Sequence, residues 1–188
     1  MGFAVKSSPE FVYRKNSIRL LATLGPEGTS SENTAKYVSQ IERSDIRLFP
    51  TYEEAARFVT DSSHAALLVA NAYQRINEFY ISDRFSPLSA FFYDTPPYAL
   101  ASRDGVALEV DRPRIATHQA PSHLVRQLLA TERFDLVYAD STSAAAAMAA
   151  SGEVDACLTT QKAQDRHGLI RISDQVVIPM LWTLFVKK

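Results

Sequence analysis

The sequence predicts an α/β fold made of two lobes, and three observations support this prediction. Short apolar runs alternate with helix-like stretches in both halves of the chain, which is the pattern of α/β proteins. Several of these runs are too short for helices and too apolar for surface strands, so they indicate buried parallel strands. A proline pair, Pro96-Pro97, lies between two aromatic runs in the middle of the chain. Because proline stops a strand, we expect the chain to cross into a second lobe there.

The first half predicts three strands joined by two helices. The apolar run at 18–24 is a strand, and the Thr-x-x-Glu spacing of Thr29 and Glu32 is typical of a capping box that begins the first helix. Apolar residues at helical spacing predict the second helix. The strands are 18–24, 46–49 and 65–70, and the helices are 29–41 and 52–61.

The second half repeats this rhythm after two strands at 88–93 and 98–102. The predicted strands are 114–117, 136–139, 154–158 and the extended segment 170–172, and the helices are 122–131, 143–150 and 160–167. A last strand at 182–186 is expected to return to the first lobe. The predicted domains are therefore an N-terminal tail at 1–17, lobe 1 at 18–97 plus 175–188, and lobe 2 at 98–174.

The composition excludes several classes of function. The chain has 188 residues, a net charge of −1 and 46% hydrophobic residues, which gives no reason to expect a nucleic acid or a membrane as partner. No apolar run is long enough to span a bilayer, and no export signal is evident, so we expect a cytoplasmic protein. The single cysteine, Cys157, lies in a predicted strand and is expected to be an inert buried thiol.

The loop between the first strand and the first helix is a candidate anion site. Gly25 and Gly28 permit a tight turn, and Thr29, Ser30 and Ser31 place three hydroxyls at the start of the helix. The first N–H groups of a helix attract anions. An ordinary capped turn between a strand and a helix explains the same pattern, so the pattern alone leaves both interpretations open.

Two further loops follow predicted strands of the second half. His118 comes directly after a strand, and Ser141 to Ser143 begin a helix. Since ligands of open parallel sheets bind outside the carboxyl ends of the strands, we expect these loops at one cleft, where two helix starts suit a ligand with two carboxylates. Simple N-capping and a structural histidine are the alternatives. No metal-ligand spacing or nucleotide motif occurs, and no cofactor is expected.

Several motifs together resemble the prephenate dehydratase family. The stretch Leu-Gly-Pro-Glu-Gly-Thr-Ser-Ser-Glu is similar to the opening motif of these enzymes, and further similarities follow in the same order. They lie at 117–118, 141–143, 167–169 and 183–185. The resemblance covers 18–186, and it implies a two-lobed, periplasmic-binding-like fold with a ligand cleft between the lobes.

The departures from this pattern resemble the prephenate decarboxylases, the non-aromatising branch of the bacilysin-pathway type. Leu184 stands where dehydratases have an arginine, and Ala72-Tyr73-Gln74 stands where they have Glu-Asn-Ser. The decarboxylase branch also matches Asp-Thr-Pro at 94–96 and Ile-Pro-Met at 178–180. This resemblance implies non-oxidative decarboxylation of prephenate with retention of its hydroxyl, for antibiotic or secondary-metabolite biosynthesis, by a homodimer. A dehydratase or a non-catalytic anion-binding module remains the alternative.

The resemblance and the loop pattern together nominate the site residues. The candidates for catalysis are His118, Tyr73 and Thr183. Arg103 follows the strand at 98–102 and is either a cation for one carboxylate or a surface arginine. Trp182, Leu184 and Phe185 are expected to form an apolar wall. The candidates for substrate binding are Thr29, Ser30, Ser31, Asn71, Arg103, Ser141, Thr142, Ser143, Leu184 and Phe185.

Overall fold

A computed structural model describes residues 18–105, 111–129 and 133–188. The chain divides into two compact units. Unit 1 consists of 18–25, Ser31–Asp94 and Pro179–Lys188, and unit 2 consists of Pro26–Ser30 and Thr95–Ile178. The predicted boundaries between the lobes are 97/98 and 174/175, whereas the boundaries between the units are 94/95 and 178/179. The loop Pro26–Ser30 belongs to unit 2. The predicted tail, 1–17, lies outside the described residues.

Unit 1 contains a five-stranded mixed sheet in the order β2-β1-β3-β10-β4. Strands β1, β2 and β3 are parallel, and β10 is antiparallel to both β3 and β4. The elements of this unit are β1 Leu20–Leu24, α1 Ser30–Glu42, β2 Asp45–Phe49, α2 Tyr52–Thr60, β3 Ala65–Ala70, α3 Ile76–Tyr80, β4 Phe85–Phe92 and β10 Leu181–Lys187.

Each face of the unit 1 sheet buries its own apolar cluster. Leu21, Leu68 and Trp182 pack in a cluster with residues of α1, and Ala22 and Val69 pack in a second cluster with residues of α2. Neighbouring residues of one strand point to opposite faces, so β1 and β3 contribute to both clusters. This explains why β3 is apolar at every position.

Unit 2 contains a second five-stranded mixed sheet in the order β7-β6-β8-β5-β9. Strands β6, β7 and β8 are parallel, and β5 is antiparallel to β8 and β9. The elements are β5 Tyr98–Ser102, β6 Arg114–Thr117, α4 His123–Leu128, β7 Asp135–Tyr138, α5 Thr142–Ser151, β8 Ala156–Thr160, α6 Gln161–His167 and β9 Ile170–Arg171. Two parallel-strand α/β units confirm the predicted fold class.

Several elements differ from the sequence-based prediction; for example, β4 begins three residues earlier than predicted, at Phe85, and β1 begins two residues later, at Leu20. Helix α3 was not predicted, because five residues are too few to show a helical period. Strand β8 begins two residues later than predicted and continues through Thr159 and Thr160, since the threonines favour extended backbone. The helix predicted at 122–131 ends at Leu128, and 130–132 lie outside the described residues.

Helix α5 has both of the ends that the sequence predicts. The hydroxyl of Ser141 accepts a hydrogen bond from the Ala144 N–H at 3.0 Å, and Gly152 ends the helix in the left-handed region with φ +80°. Ala145, Ala146 and Ala149 pack against Cys157 of β8. Burial raises the pKa of the Cys157 thiol to about 12, so the thiol stays protonated at neutral pH, as expected of an inert core residue.

No helix among the described residues has the length and apolar character that crossing a membrane requires.

We expect Ser141→Ala to lower the free energy of unfolding by about 1 kcal/mol, the usual cost of a lost N-cap. Ser151→Ala, at the exposed last residue of the same helix, is the matched control and should stay within about 0.5 kcal/mol of wild type. Urea unfolding followed by circular dichroism measures both values. Equal effects of the two substitutions would contradict the capping role of Ser141.

Candidate active site

The carboxyl ends of the parallel strands form one polar edge in unit 2. Strands β6, β7 and β8 end at Thr117, Tyr138 and Thr160, and the antiparallel strand β5 begins at Tyr98 on the same edge. His118 and the start of α5 follow β6 and β7 directly. The structure therefore brings the predicted residues His118 and Ser141 to Ser143 to one edge of one sheet, as the strand order predicts.

The loop Pro26–Ser30 is attached to this edge by hydroxyl groups. The Ser143 hydroxyl donates to the Glu27 carbonyl oxygen at 3.0 Å, and the Thr160 hydroxyl donates to the Gly28 carbonyl oxygen at 2.7 Å. Gly28 has φ +90°, and a β-carbon there would lie 3.4 Å from the Ser143 oxygen. Glycine suits this position because it tolerates the left-handed region.

Tyr98 is a buried hydroxyl centre that the sequence analysis did not nominate. Its phenol bonds to the Ser30 hydroxyl at 2.7 Å and also to Thr142. Burial raises the pKa of Tyr98, and the hydrogen bonds with Ser30 and Thr142 act in the opposite direction. The phenol therefore remains neutral and joins the hydroxyls of Ser30 and Thr142 within unit 2.

Most of the hydroxyls predicted to bind substrate are used within the protein. Thr29, Ser31, Ser141, Thr142 and Ser143 are each no more than 5% exposed. Ser31 bonds to the Tyr52 phenol at 2.8 Å and Ser141 caps α5. Ser30, the first residue of α1, is half-buried. Among these six residues, Ser30 is thus the most accessible from outside the fold.

His118 is a half-buried histidine with a defined hydrogen bond. Its Nδ1 accepts from the Ala120 N–H at 3.3 Å, so the neutral imidazole carries its proton on Nε2. Burial lowers the pKa of His118, and the negative charge of Asp140 opposes that shift. The imidazole is therefore neutral at pH 7 and can hold a proton at Nε2.

The structure does not bring Arg103 to the start of α5. Arg103 is exposed, and its guanidinium lies beside Gly152, where a β-carbon would be 3.0 Å from Nη1. Gly152 ends α5, and a helix of this length separates its two ends by about 15 Å. The cause is the direction of β5: it runs antiparallel to β8, so the residue that follows it lies at the opposite edge of the sheet. Arg103 instead suits the negative end of the helix dipole.

Unit 1 has its own polar cluster where β3 ends. The Thr183 hydroxyl donates to Asn71 Oδ1 at 2.8 Å, the Asn71 amide donates to the Tyr80 phenol oxygen at 3.2 Å, and the Tyr80 and Thr183 oxygens are 2.6 Å apart. The structure thus brings together the predicted residues Asn71 and Thr183 and adds Tyr80 from α3.

Tyr73 lies near this cluster but belongs to a charged network. Its phenol donates to Glu53, which also contacts Arg75 at 3.0 Å. Burial raises the pKa of Tyr73, and the hydrogen bond to Glu53 adds to the shift. A phenol that holds its proton this firmly is a poor acid at neutral pH.

The expected apolar wall of Trp182, Leu184 and Phe185 is not formed. Trp182 and Leu184 pack in the cluster on the α1 face of the sheet, and Phe185 packs in the cluster on the α2 face. Leu184 is 5% exposed and Phe185 is fully buried. The side chains alternate because β10 is a strand, and the resemblance carried no information about which face each residue occupies.

Sequence analysis missed three residues of these edges, namely Tyr80, Tyr98 and Thr160. An antiparallel strand begins at the edge where its parallel neighbours end. Tyr98, the first residue of β5, could have been nominated on that basis. Thr160 was missed because the predicted strand ended at residue 158, two residues before the observed end of β8. For Tyr80 the sequence contains no sufficient signal, because its helix is only five residues long.

Comparison with known proteins places this chain among enzymes of one kind. No protein-family model matches the chain. The prephenate decarboxylase of Planktothrix agardhii is 33% identical in an alignment 195 positions long, which covers 98% of this chain and 96% of that protein. The prephenate decarboxylase of Bacillus subtilis is 35% identical in an alignment 185 positions long, which covers 93% of this chain and 90% of that protein.

Solved structures with the same fold include two prephenate dehydratases. The enzyme from Arthrobacter aurescens, in complex with L-Phe, has a TM-score of 0.71 at 17% identity over 90% of this chain, which spans 60% of that protein. The Staphylococcus aureus dehydratase has a TM-score of 0.61 at 15% identity over 89% of this chain and 66% of that one. The periplasmic VFT2 domain of Bordetella pertussis BvgS has a TM-score of 0.58 at 15% identity, over 92% of this chain and 81% of that one.

The structural matches confirm the predicted prephenate dehydratase-like, periplasmic-binding-like fold. The sequence matches are more specific, because a third of the residues are identical across almost the full length of both chains. On that evidence the chain belongs to the prephenate decarboxylase family.

Proposed function

We propose that this protein is a carboxy-lyase that decarboxylates prephenate without oxidation. The ring takes up a proton and keeps its hydroxyl, and the product is a dihydro-4-hydroxyphenylpyruvate. The observation that carries this proposal is the 33–35% identity to four prephenate decarboxylases over 88–98% of the chain. No cofactor takes part in the proposed reaction.

The reaction sets one chemical demand on the protein. Loss of carbon dioxide leaves an electron pair that moves through the ring diene, and a proton must reach a ring carbon. A dehydratase instead expels the hydroxyl with the carboxylate, which makes the ring aromatic. A general acid beside the hydroxyl would favour that outcome. Leu184 stands where the resemblance expects an arginine, so this position supplies no acid, and its side chain packs in the buried cluster on the α1 face.

The carboxylates of prephenate need neutral or positive partners. The first N–H groups of a helix attract negative charge, and Ser30, the first residue of α1, is half-buried. In this proposal Ser30 and the backbone at Thr29 to Ser31 bind one carboxylate. Thr142 acts through the buried phenol of Tyr98, which bonds to both Ser30 and Thr142.

His118 is the proposed source of the ring proton. It lies at the carboxyl edge of unit 2, half-buried, and its Nδ1 is occupied by the Ala120 N–H. Protonation of Nδ1 would break the hydrogen bond from the Ala120 N–H. The resulting imidazolium would carry a proton on each ring nitrogen. Asp140 supplies the negative charge that favours this imidazolium. The Tyr73 phenol is less suitable because its proton is donated to Glu53.

We also propose the metabolic role, the cellular compartment and the oligomeric state of the enzyme. A dihydro-4-hydroxyphenylpyruvate is a precursor of non-aromatic amino acids, which places the reaction in antibiotic or other secondary-metabolite biosynthesis. We also propose a cytoplasmic homodimer. Light scattering of the purified protein tests the dimer, and a monomer at micromolar concentration would contradict it.

We expect the product of prephenate turnover to be non-aromatic and to retain its hydroxyl. Proton NMR of the reaction mixture identifies it, and the absorbance of alkaline phenylpyruvate should stay at the level of the enzyme-free control. Phenylpyruvate as the main enzymatic product would make the protein a dehydratase. Prephenate that binds but remains unchanged would indicate a binding protein.

We expect His118→Ala to lower kcat by about 10² to 10⁴ with a smaller change in KM, as is typical when a general acid is lost. His123→Ala, an exposed histidine at the start of α4, is the matched control and should retain wild-type kcat. In deuterated buffer the wild type should place one deuterium on the ring with a single stereochemistry. A His118 variant with wild-type rate and stereochemistry would show that the proton comes from another group.

The lowered pKa of His118 has opposite consequences for rate and stability. If the imidazolium gives the proton, kcat should fall as the pH rises through a value below about 6.5, the ordinary pKa of histidine. Because folding favours the neutral form, the stability contribution is complete above about pH 6.5 and is lost as the pH falls through the folded-state pKa. Rate profiles and urea unfolding between about pH 5 and 8 measure both, and a kcat that increases with pH would contradict the acid role.

A further inference from the structure

Strand β4, Phe85–Phe92, forms one edge of the unit 1 sheet. One side of this strand bonds to β10 along its length, and the other side, here called the free edge, pairs with no strand among the residues that the structure describes. A free strand edge presents unpaired N–H and C=O groups to any strand that approaches it. The free edge is reachable, because Pro87 and Ser89 are exposed and the Phe92 side chain is 69% exposed.

The first half of the free edge is protected against pairing, and the second half is not. Pro87 has no N–H, and the register with β10 shifts between Pro87 and Ser89. Proline and such irregularities are the usual means of protecting an edge strand. The second half, 89–92, contains neither, and it also lacks the charged side chains that serve the same purpose. This half is therefore open to a further strand.

The direction of the backbone groups in the second half follows from a hydrogen bond of Tyr93. Its N–H donates to the Met180 carbonyl oxygen at 3.0 Å, on the β10 side. Because successive residues of a strand direct their backbone groups to opposite sides, the N–H groups of Ala90 and Phe92 face the free edge. These two residues can therefore form backbone hydrogen bonds with a strand of another chain.

The charges around β4 suit a second copy of this chain. The run 85–93 contains no charged residue. At its first end Arg84 and Lys187 of the neighbouring β10 outweigh Asp83, whereas Asp94 follows the other end. All four side chains are exposed. An antiparallel two-fold arrangement brings the basic end of one copy beside the acidic end of the other, and no like charges face each other along the strands.

Aromatic side chains flank the second half on both faces of the sheet. Phe91 and Tyr93 are half-buried on the α1 face, where Tyr37 stacks on Tyr93 with 4.2 Å between ring centroids. Phe92 points to the opposite face, since neighbouring residues of a strand alternate. A strand that pairs with this half would remove apolar surface from water on both faces, which stabilises the association.

We propose that the free edge of β4 is the surface through which the homodimer forms, by antiparallel pairing of two copies around a two-fold axis at Ala90. This inference rests on the proposed homodimer and names its surface. Ala90 is the residue with an outward N–H that lies nearest the middle of the uncharged run 85–93. The axis makes Ala90 face its own copy and places Phe92 opposite Leu88 of the second copy. The pairing ends where Pro87 begins.

Ala90→Cys tests this pairing directly. Facing residues of a hydrogen-bonded antiparallel pair have Cα atoms about 5.5 Å apart, within the range of about 4.4–6.8 Å that a disulfide spans. Under mild oxidation this variant should form a disulfide-linked dimer on a non-reducing gel. The matched control is Ser86→Cys on the same strand, which should stay mostly unlinked. The native Cys157 is buried and does not compete. No linked dimer with Ala90→Cys, or equal linking of both variants, would overturn the proposal.

Ala90→Lys places two positive charges face to face across the two-fold axis. We expect its dimer dissociation constant, measured by analytical ultracentrifugation, to rise roughly tenfold or more, because like charges directly opposite each other destabilise a strand pair and an interface. Ser63→Lys is the matched control: Ser63 is exposed and precedes β3, and β10 lies between β3 and β4. It should dimerise as wild type does. The cysteine experiment keeps the proposal testable if Ala90→Lys fails to fold.

The levels of proposal fail differently. A wild type that is monomeric at micromolar concentration overturns both the homodimer and this surface, and it leaves the free edge to a strand of another protein. A dimeric wild type whose dissociation constant is unchanged by Ala90→Lys overturns this surface alone. Prephenate turnover is measured separately, and its absence in a linked Ala90→Cys dimer and in wild type would overturn the proposed reaction but not the surface.

Discussion

Two backbone carbonyl groups, those of Glu27 and Gly28, receive hydrogen bonds from the side chains of Ser143 and Thr160. Much of the arrangement in unit 2 depends on these bonds. A buried carbonyl oxygen needs a donor, and Gly28 is buried with a positive φ that only glycine adopts easily. The loop Pro26–Ser30 is therefore fixed at the carboxyl edge of the sheet, where the Ser30 hydroxyl forms a hydrogen bond with the Tyr98 phenol.

This constraint explains why a hydroxyl-rich motif need not be a ligand-binding motif. The same serine and threonine side chains that suggest an anion site cap α5, hold the loop and satisfy the buried phenol of Tyr98. Hydroxyls serve all three purposes because each can donate and accept at once.

The polar groups of unit 1 are arranged on a related principle. Near the end of β3, Arg75 contacts both Glu53 and Glu78. The Tyr80 hydroxyl is directed to the buried Thr183, which in turn donates to Asn71.

The sequence by itself determined the strands, the two α/β units and the family. Buried strands require continuous apolar runs, helix α5 requires the cap at Ser141 and the glycine at 152, and both signals are local. Only the tertiary structure decided which side chains meet. Because β5 is antiparallel to β8, Arg103 lies at the far edge of its sheet. The alternation of side chains along β10 places Leu184 and Phe185 on opposite faces. The five-residue helix α3 positions Tyr80 to bond to Thr183. The positions of Arg103 and Tyr80 depend on partners distant in the chain, and no short window of sequence contains both members of either pair.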